Sequence, residues 1–218
     1  MKKLLFFTVL LTSLNLMAQE IQENFDSYAA GDLIAASSPA FETWSGSPAE
    51  DVMIVDSVFN SAPNSISLFT DLALGGPGDI ILPLDFDDNG YIVSFYMFVE
   101  QGTGAYFNIQ TDVTPGIDWA YDVFFGADGS IDYQIGQVSM GSGSFTNGTW
   151  FLVENDVDLV NDIATISIDG EEQIVLPFTS DLGSVNFYPT SNEPTAHYYI
   201  DDIEVNMYEP VSVSELEI

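Results

Sequence analysis

Beyond residue 3 this sequence has no lysine and no arginine. Lys2 and Lys3 are the only two among 218 residues, whereas 34 Asp and Glu residues are spread from Glu20 onward, with His197 the single histidine. Nucleic-acid binding, which displaces counterions with Lys and Arg, is therefore excluded as an expectation. So are an arginine clamp on phosphate or carboxylate and a polybasic membrane patch. Cysteine is absent too, so no disulfide can staple the fold. After the first 19 residues no apolar run reaches the ~18 residues of a membrane-spanning helix, and no membrane insertion is expected. Carboxylates without cationic partners leave metal ions, solvent and uncharged molecules as the available ligands.

What is present begins with MKKLLFFTVLLTSLNLMAQ, residues 1–19. Two lysines, an apolar run from Leu4 to Leu11 and Ala18 near a cleavage point give the pattern of a secretory signal peptide. Export to the cell surface or the medium is the expected address. Residues 20–208 are expected to form one domain, large enough for its own core, and 209–218 a tail opened by Pro210.

Within the domain, short β-type runs alternate with turn residues. Strands are expected near Asp51–Asp56, Ser65–Thr70, Asp79–Leu82, Tyr91–Val99, Ala105–Thr111 and Trp119–Phe125. Six more are expected near Ile131–Ile135, Trp150–Val157, Ile163–Ile168, Gln173–Leu176, Val185–Tyr188 and His197–Met207. Pairs such as Asn89-Gly90, Asp128-Gly129 and Asp169-Gly170 supply the positive φ angles of tight hairpins. Apolar residues nowhere recur at helical spacing. The chain is expected to be all-β, two packed antiparallel sheets, with Gly136–Gly148 a polar loop. Alternation puts Trp119, Tyr121, Val123 and Phe125 on one side of a strand, and Tyr199 with Asp201, Ile203 and Val205 on one side of another. Tyr91–Val99 is apolar on both sides, as in a strand covered on each face.

One face collects Tyr106, Asn108, Gln110, Asp122, Phe124, Asp132 and Gln134. Aromatic rings stack on sugars, and planar amides and carboxylates bond their hydroxyls, so these are candidate ligand-binding residues for a neutral glycan. The alternative is an ordinary solvated face. Glu154-Asn155-Asp156-Val157-Asp158 sets three carboxylates at alternate positions on one strand, which makes Glu154 and Asp156 candidates for glycoside hydrolysis. His197 has no Ser or Cys nucleophile motif near it.

Three stretches point to a family. They are Glu23-Asn24-Phe25-Asp26-Ser27-Tyr28 with Gly31-Asp32, then Gly148-Thr149-Trp150 through Ile166-Ser167-Ile168-Asp169-Gly170, and finally Tyr199-Ile200-Asp201-Asp202-Ile203-Glu204-Val205. In this order the chain resembles the concanavalin A-like (laminin G-like) jelly-roll domains of secreted Bacteroidetes proteins, including the cleaved-adhesin type. The resemblance implies an antiparallel jelly-roll β-sandwich whose first and last strands adjoin. It also implies a structural calcium ion near Glu23, Asp26, Asp201 and Asp202, with solvated strand-end aspartates as the alternative. Calcium suits a site made of oxygen ligands alone. The tail at Val213-Ser214-Glu215-Leu216 resembles the linker before a type IX secretion sorting domain. The expected function is a non-enzymatic carbohydrate-binding or adhesive module. A structural or passenger domain, or a glycosidase of the same fold, are the alternatives.

Overall fold

The computed structural model describes residues 18–211 except 73, 191 and 192. Most of the expected signal peptide and of the tail lies outside these residues. Fifteen strands follow in order. The first five are β1 (Ala18–Glu23), β2 (Glu42–Thr43), β3 (Met53–Val55), β4 (Ser65–Thr70) and β5 (Ile80–Phe86). Then come β6 (Gly90–Val99), β7 (Ala105–Gln110), β8 (Trp119–Phe125), β9 (Ser130–Ile135) and β10 (Val138–Ser144). The last are β11 (Trp150–Asp158), β12 (Ile163–Ile168), β13 (Glu171–Pro177), β14 (Leu182–Phe187) and β15 (Ala196–Tyr208). One helical turn, Ile34–Ser37, and one 3-10 turn, Pro48–Glu50, interrupt them.

The strands form two antiparallel sheets, and the fold is the expected jelly-roll sandwich. The first sheet runs β13-β12-β11-β6-β15-β4-β3, with β1 pairing the second half of β15. The second runs β10-β9-β8-β7-β14-β5-β2. First and last strands adjoin, with Glu23 opposite Ile203.

Inward side chains of both sheets meet in one core. Phe95 of β6 meets Phe107 of β7 and Phe187 of β14 edge to face, at 5.2 and 5.1 Å, the geometry the ring quadrupole favours. Two buried hydrogen bonds also cross between sheets. The Tyr121 hydroxyl donates to Asn155 Oδ1 at 3.0 Å, and the Tyr198 hydroxyl to the Tyr106 carbonyl at 2.8 Å. Each satisfies a polar group that the core would otherwise strand.

Several expectations are corrected. Residues 138–144 are not a loop: β10 pairs β9 as a hairpin, with Val138, Met140 and its three serines exposed and its glycines half-buried. The outer side chains of β6 are half-buried rather than covered. Alternation breaks at Asp201–Asp202, where Asp202 takes φ 48° and the register shifts. Tyr198 and Ile200 face the core before this bulge, Ile203 and Val205 after it, so Tyr199 does not share their side. A second register shift lies between Ile109–Gln110 and their partners, Ile109 facing Tyr121 and Gln110 facing Trp119. Trp119 thereby leaves the side of Tyr121 and joins that of Gln110.

Candidate functional site: a cleft on the second sheet

Every residue of β7 and of β14 is buried, although only one side of each strand faces the core. Loops cover the other side and shape a cleft of two adjoining hollows. One, of about 320 Å³, is lined by Trp44, Asp79, Tyr106, Asn108, Trp119, Phe124, Asn186, Tyr188 and Thr190. The next, of about 420 Å³, shares Tyr106, Trp119 and Phe124 and adds Asp118, Asp122, Gln134, Gly136 and Gln137. Trp44 and Trp119 stack at 6.0 Å and 26° between planes, and Tyr106 leans on Phe124 at 4.8 Å.

The floor is one hydrogen-bonded rank across four strands. Asn108 lies opposite Asp122 on one side and Asn186 on the other, and Asn186 opposite Ile81. The Tyr106 hydroxyl donates to Asp122 Oδ1 at 2.5 Å. Asn108 Nδ2 donates to the Tyr106 hydroxyl and to Asn186 Oδ1, both at 2.8 Å. Asn186 Nδ2 donates to Asp79 Oδ1 at 2.7 Å and to the Ile80 carbonyl at 3.0 Å. Burial pushes the Asp79 carboxyl up to about 7, against the Asn186 bond and helped by the charge of Glu50. Burial likewise raises Asp122, opposed by the Tyr106 bond. Asn108 Oδ1, buried in this floor, has no hydrogen-bond partner. An acceptor left in this way is what an incoming hydroxyl satisfies.

Of the residues read from the sequence, Tyr106, Asn108, Asp122, Phe124 and Gln134 line the cleft. Asp132 lies just beyond, in a small hollow with Phe124, Asp128 and Glu193, accepting Gln134 Nε2 at 2.6 Å and Ser139 Oγ at 2.5 Å. Gln110 is fully buried, its Oε1 accepting the Gly116 N–H at 2.9 Å. Trp44, Asp79, Asn186 and Tyr188 join the lining without a signal in the strand alternation used above. Asn186 alternates with Val185 and Phe187 and could have been read from that period; Trp44 and Tyr188 sit outside strands, where no periodicity marks them.

Glu154 and Asp156 stand on the outer face of the other sheet. Glu154 lines a hollow with Tyr96, Asp202 and Glu204, and Asp156 accepts the Tyr208 hydroxyl. His197 stands in β15 between the rings of Phe69 and Tyr199, its imidazole pushed below its usual value by burial, against the charge of Glu100.

The four carboxylates expected to hold calcium fall into two sets at the β1–β15 seam. Glu23 accepts the Tyr28 hydroxyl at 2.8 Å and the Phe25 N–H at 2.9 Å, and Asp26 accepts the Asn64 N–H at 3.3 Å. Asp201, fully buried, accepts the N–H groups of Asn60, Ser61 and Asp202 at 2.7, 3.0 and 2.8 Å. Asp202 accepts Asn60 Nδ2 and Ser61 Oγ, each at 2.7 Å. Among the described residues no three carboxylate or imidazole groups converge as a metal site. No helix among them is long and apolar enough to cross a membrane.

No protein-family model matches the chain. No curated protein does either. Solved structures of similar fold do exist. A sialidase superposes with TM-score 0.59 at 13% identity, over 91% of this chain and 19% of that one. An alginate lyase of polysaccharide lyase family 7 gives 0.53 at 8%, over 69% of this chain and 81% of that one. An alginate lyase from Corynebacterium sp. gives 0.53 at 10%, over 76% and 92%. The chain thus spans about a fifth of the sialidase's length. These similarities show the fold.

Proposed function

We propose that this is an exported carbohydrate-binding module that holds an uncharged glycan in the cleft over β7, β8 and β14. The observation that carries the reading is the cleft itself, with aromatic walls over a polar floor whose Asn108 Oδ1 lacks a partner. Sugars meet such a surface with C–H faces on the rings and hydroxyls on the amides. With no Lys or Arg anywhere past Lys3, an anionic glycan would find no counter-charge. The neighbours named as a sialidase and an alginate lyase support a glycan as the class of ligand.

Binding is favoured over cleavage because both raised carboxyls of the cleft are engaged by its own floor, Asp122 by the Tyr106 hydroxyl and Asp79 by the Asn186 amide. One observation favours hydrolysis as a second reading: Asp122 and Asp132 are diagonal neighbours on β8 and β9, a relation of roughly 7–8 Å. Both oxygens of Asp132, however, are taken by Gln134 and Ser139.

The test is an array of uncharged glucans, xylans and mannans beside alginate, read for binding and for released reducing ends. Trp119→Ala and Tyr106→Phe should each weaken an uncharged binder about tenfold, about 1.4 kcal/mol, without unfolding the protein. No binder on the array would end the reading, and released ends would replace it with hydrolysis.

Calcium at the β1–β15 seam is a further part of this proposal. Its support is the fully buried Asp201 carboxylate beside Asp202, with no Lys or Arg among the described residues. An ion there would draw on these two carboxylates and on hydroxyl or carbonyl oxygens. EDTA should then lower Tm and added calcium restore it; an unchanged melting curve dismisses the ion.

A further inference from the structure

Gln110 and Ser184 face each other across the β7–β14 ladder, both without exposure. Gln110 Nε2 and Ser184 Oγ have no hydrogen-bond partner, and Asn108 Oδ1, two residues along β7, is a third orphan on this floor. Buried polar atoms without partners weaken the fold unless something arrives to satisfy them.

The segment 112–118 lies over them, its Gly116 N–H bonded to Gln110 Oε1 and its Asp112 backbone against Gly183, with a pair of indoles alongside. Trp119 is the ladder partner of Gln110, and Trp44 stacks on it. Gly116 takes φ 78°, and a Cβ there would stand 2.9 Å from the Trp44 ring and 3.8 Å from that of Trp119. Only glycine lets the backbone lie so close to both rings. On the far side of Trp44 is a separate hollow of about 440 Å³, whose walls include Phe41, Thr43, Pro48 and Pro115. The cover thus divides two cavities above a floor of unused donors and acceptors.

We propose that Gln110 and Ser184 floor an additional sugar subsite, which opens when the Trp44 and Trp119 rings part and takes one unit of an uncharged glycan chain running between the two cavities. The inference rests on the glycan-binding reading above. Gln110 Nε2 offers a donor, Ser184 Oγ a donor and an acceptor, and Asn108 Oδ1 an acceptor, the set that neighbouring sugar hydroxyls require. The parted indoles supply flat apolar walls. No Lys or Arg occurs among the described residues, so a charged unit would be buried unpaired.

The experiment uses Ser184→Ala in the full chain, with cellohexaose, laminarihexaose, xylohexaose and mannohexaose as probes and the disaccharide of whichever binds. Removing an orphan hydroxyl should raise Tm of the free protein, by about 2–4 °C. It should weaken the hexasaccharide about tenfold and leave the disaccharide, which fits the open cleft, unchanged. A lower Tm would overturn the proposal, since the hydroxyl would then be serving an internal water. Equal loss of both sugars, or of neither, would overturn it while the glycan reading stands. If no probe binds the unaltered protein, that reading falls and takes this inference with it.

Discussion

The outer faces of the two sheets share a strand geometry and differ in what lies over them. On the first sheet, Ser94 of β6, Glu154 of β11 and Glu204 of β15 line a hollow of about 450 Å³, where all three are half-buried and reach water. On the second, Asn108, Gln110, Ser184 and Asn186 occupy equivalent outward positions yet are at most 2% exposed. Loops carrying Trp44, Tyr188 and the 112–118 segment account for the difference. Solvent satisfies an outward polar group on the first sheet at no cost. On the second it must find a protein partner or a ligand, and Asn108, Gln110 and Ser184 each keep an atom with neither. Water solvates the carboxylates of the first face, whereas the orphan atoms of the second are what the proposed glycan would satisfy.

The largest expected effect sharpens this contrast through pH. In calcium-free protein, Asp79 in the cleft and Asp201 at the seam are both raised to about 7 from 3.8, mainly by burial. Between these values the folded chain binds more protons than the unfolded one, so stability falls as pH rises from about 4 to 7 and levels off above. Each group contributes on the order of 2–4 kcal/mol, and Tm should fall on the order of 10 °C from about pH 4.5 to 8. Asp79→Asn, whose amide oxygen can still accept the Asn186 N–H, should flatten part of that slope. A slope unchanged in this variant would show that the cleft carboxyl is as well solvated as those of the open face.

A smaller effect concerns charge shared by both faces. The sequence has 34 carboxylates and, past Lys3, no Lys or Arg to offset them. Raising NaCl from about 0.02 to 0.5 M shortens the screening length well below its ~8 Å at physiological strength, and Tm should rise by a few degrees. A flat curve would mean that the acidic surface does not oppose folding.

How much of this was legible depends on what each residue signals locally. Ser65–Thr70, Trp119–Phe125 and Ile163–Ile168 carry period-two patterns closed by turn residues, and these strands have the expected bounds. β10 reads VSMGSGS, too rich in Gly and Ser to resemble a strand, and only its pairing with β9 makes it one. β2 is two residues long and exists only because β5 offers it an edge. Tyr106, Asn108 and Asp122 followed from alternation because their strands are regular up to that point. Trp119 did not, because one extra residue in the β7–β8 ladder reverses its side and turns an expected core ring into a cleft wall. Asp79 acquires its character from burial in a hollow shared with Tyr106, Asn186 and Tyr188, all distant from it in sequence, and nothing local foretells that.

The smallest expected effect is the sharpest check on which face acts. Glu154 begins the one carboxylate run that spacing offered for catalysis, yet it stands on the first sheet, across the whole core from the cleft. Glu154→Gln removes its charge while keeping its shape, and at a half-buried outer position should shift stability by less than about 0.5 kcal/mol. It should leave glycan affinity untouched, whereas Trp119→Ala in the same assay should not. Were Glu154→Gln instead to abolish binding, the ligand would sit on the solvated carboxylates of the first sheet. The orphan atoms under Trp44 and Trp119 would then be features of folding alone.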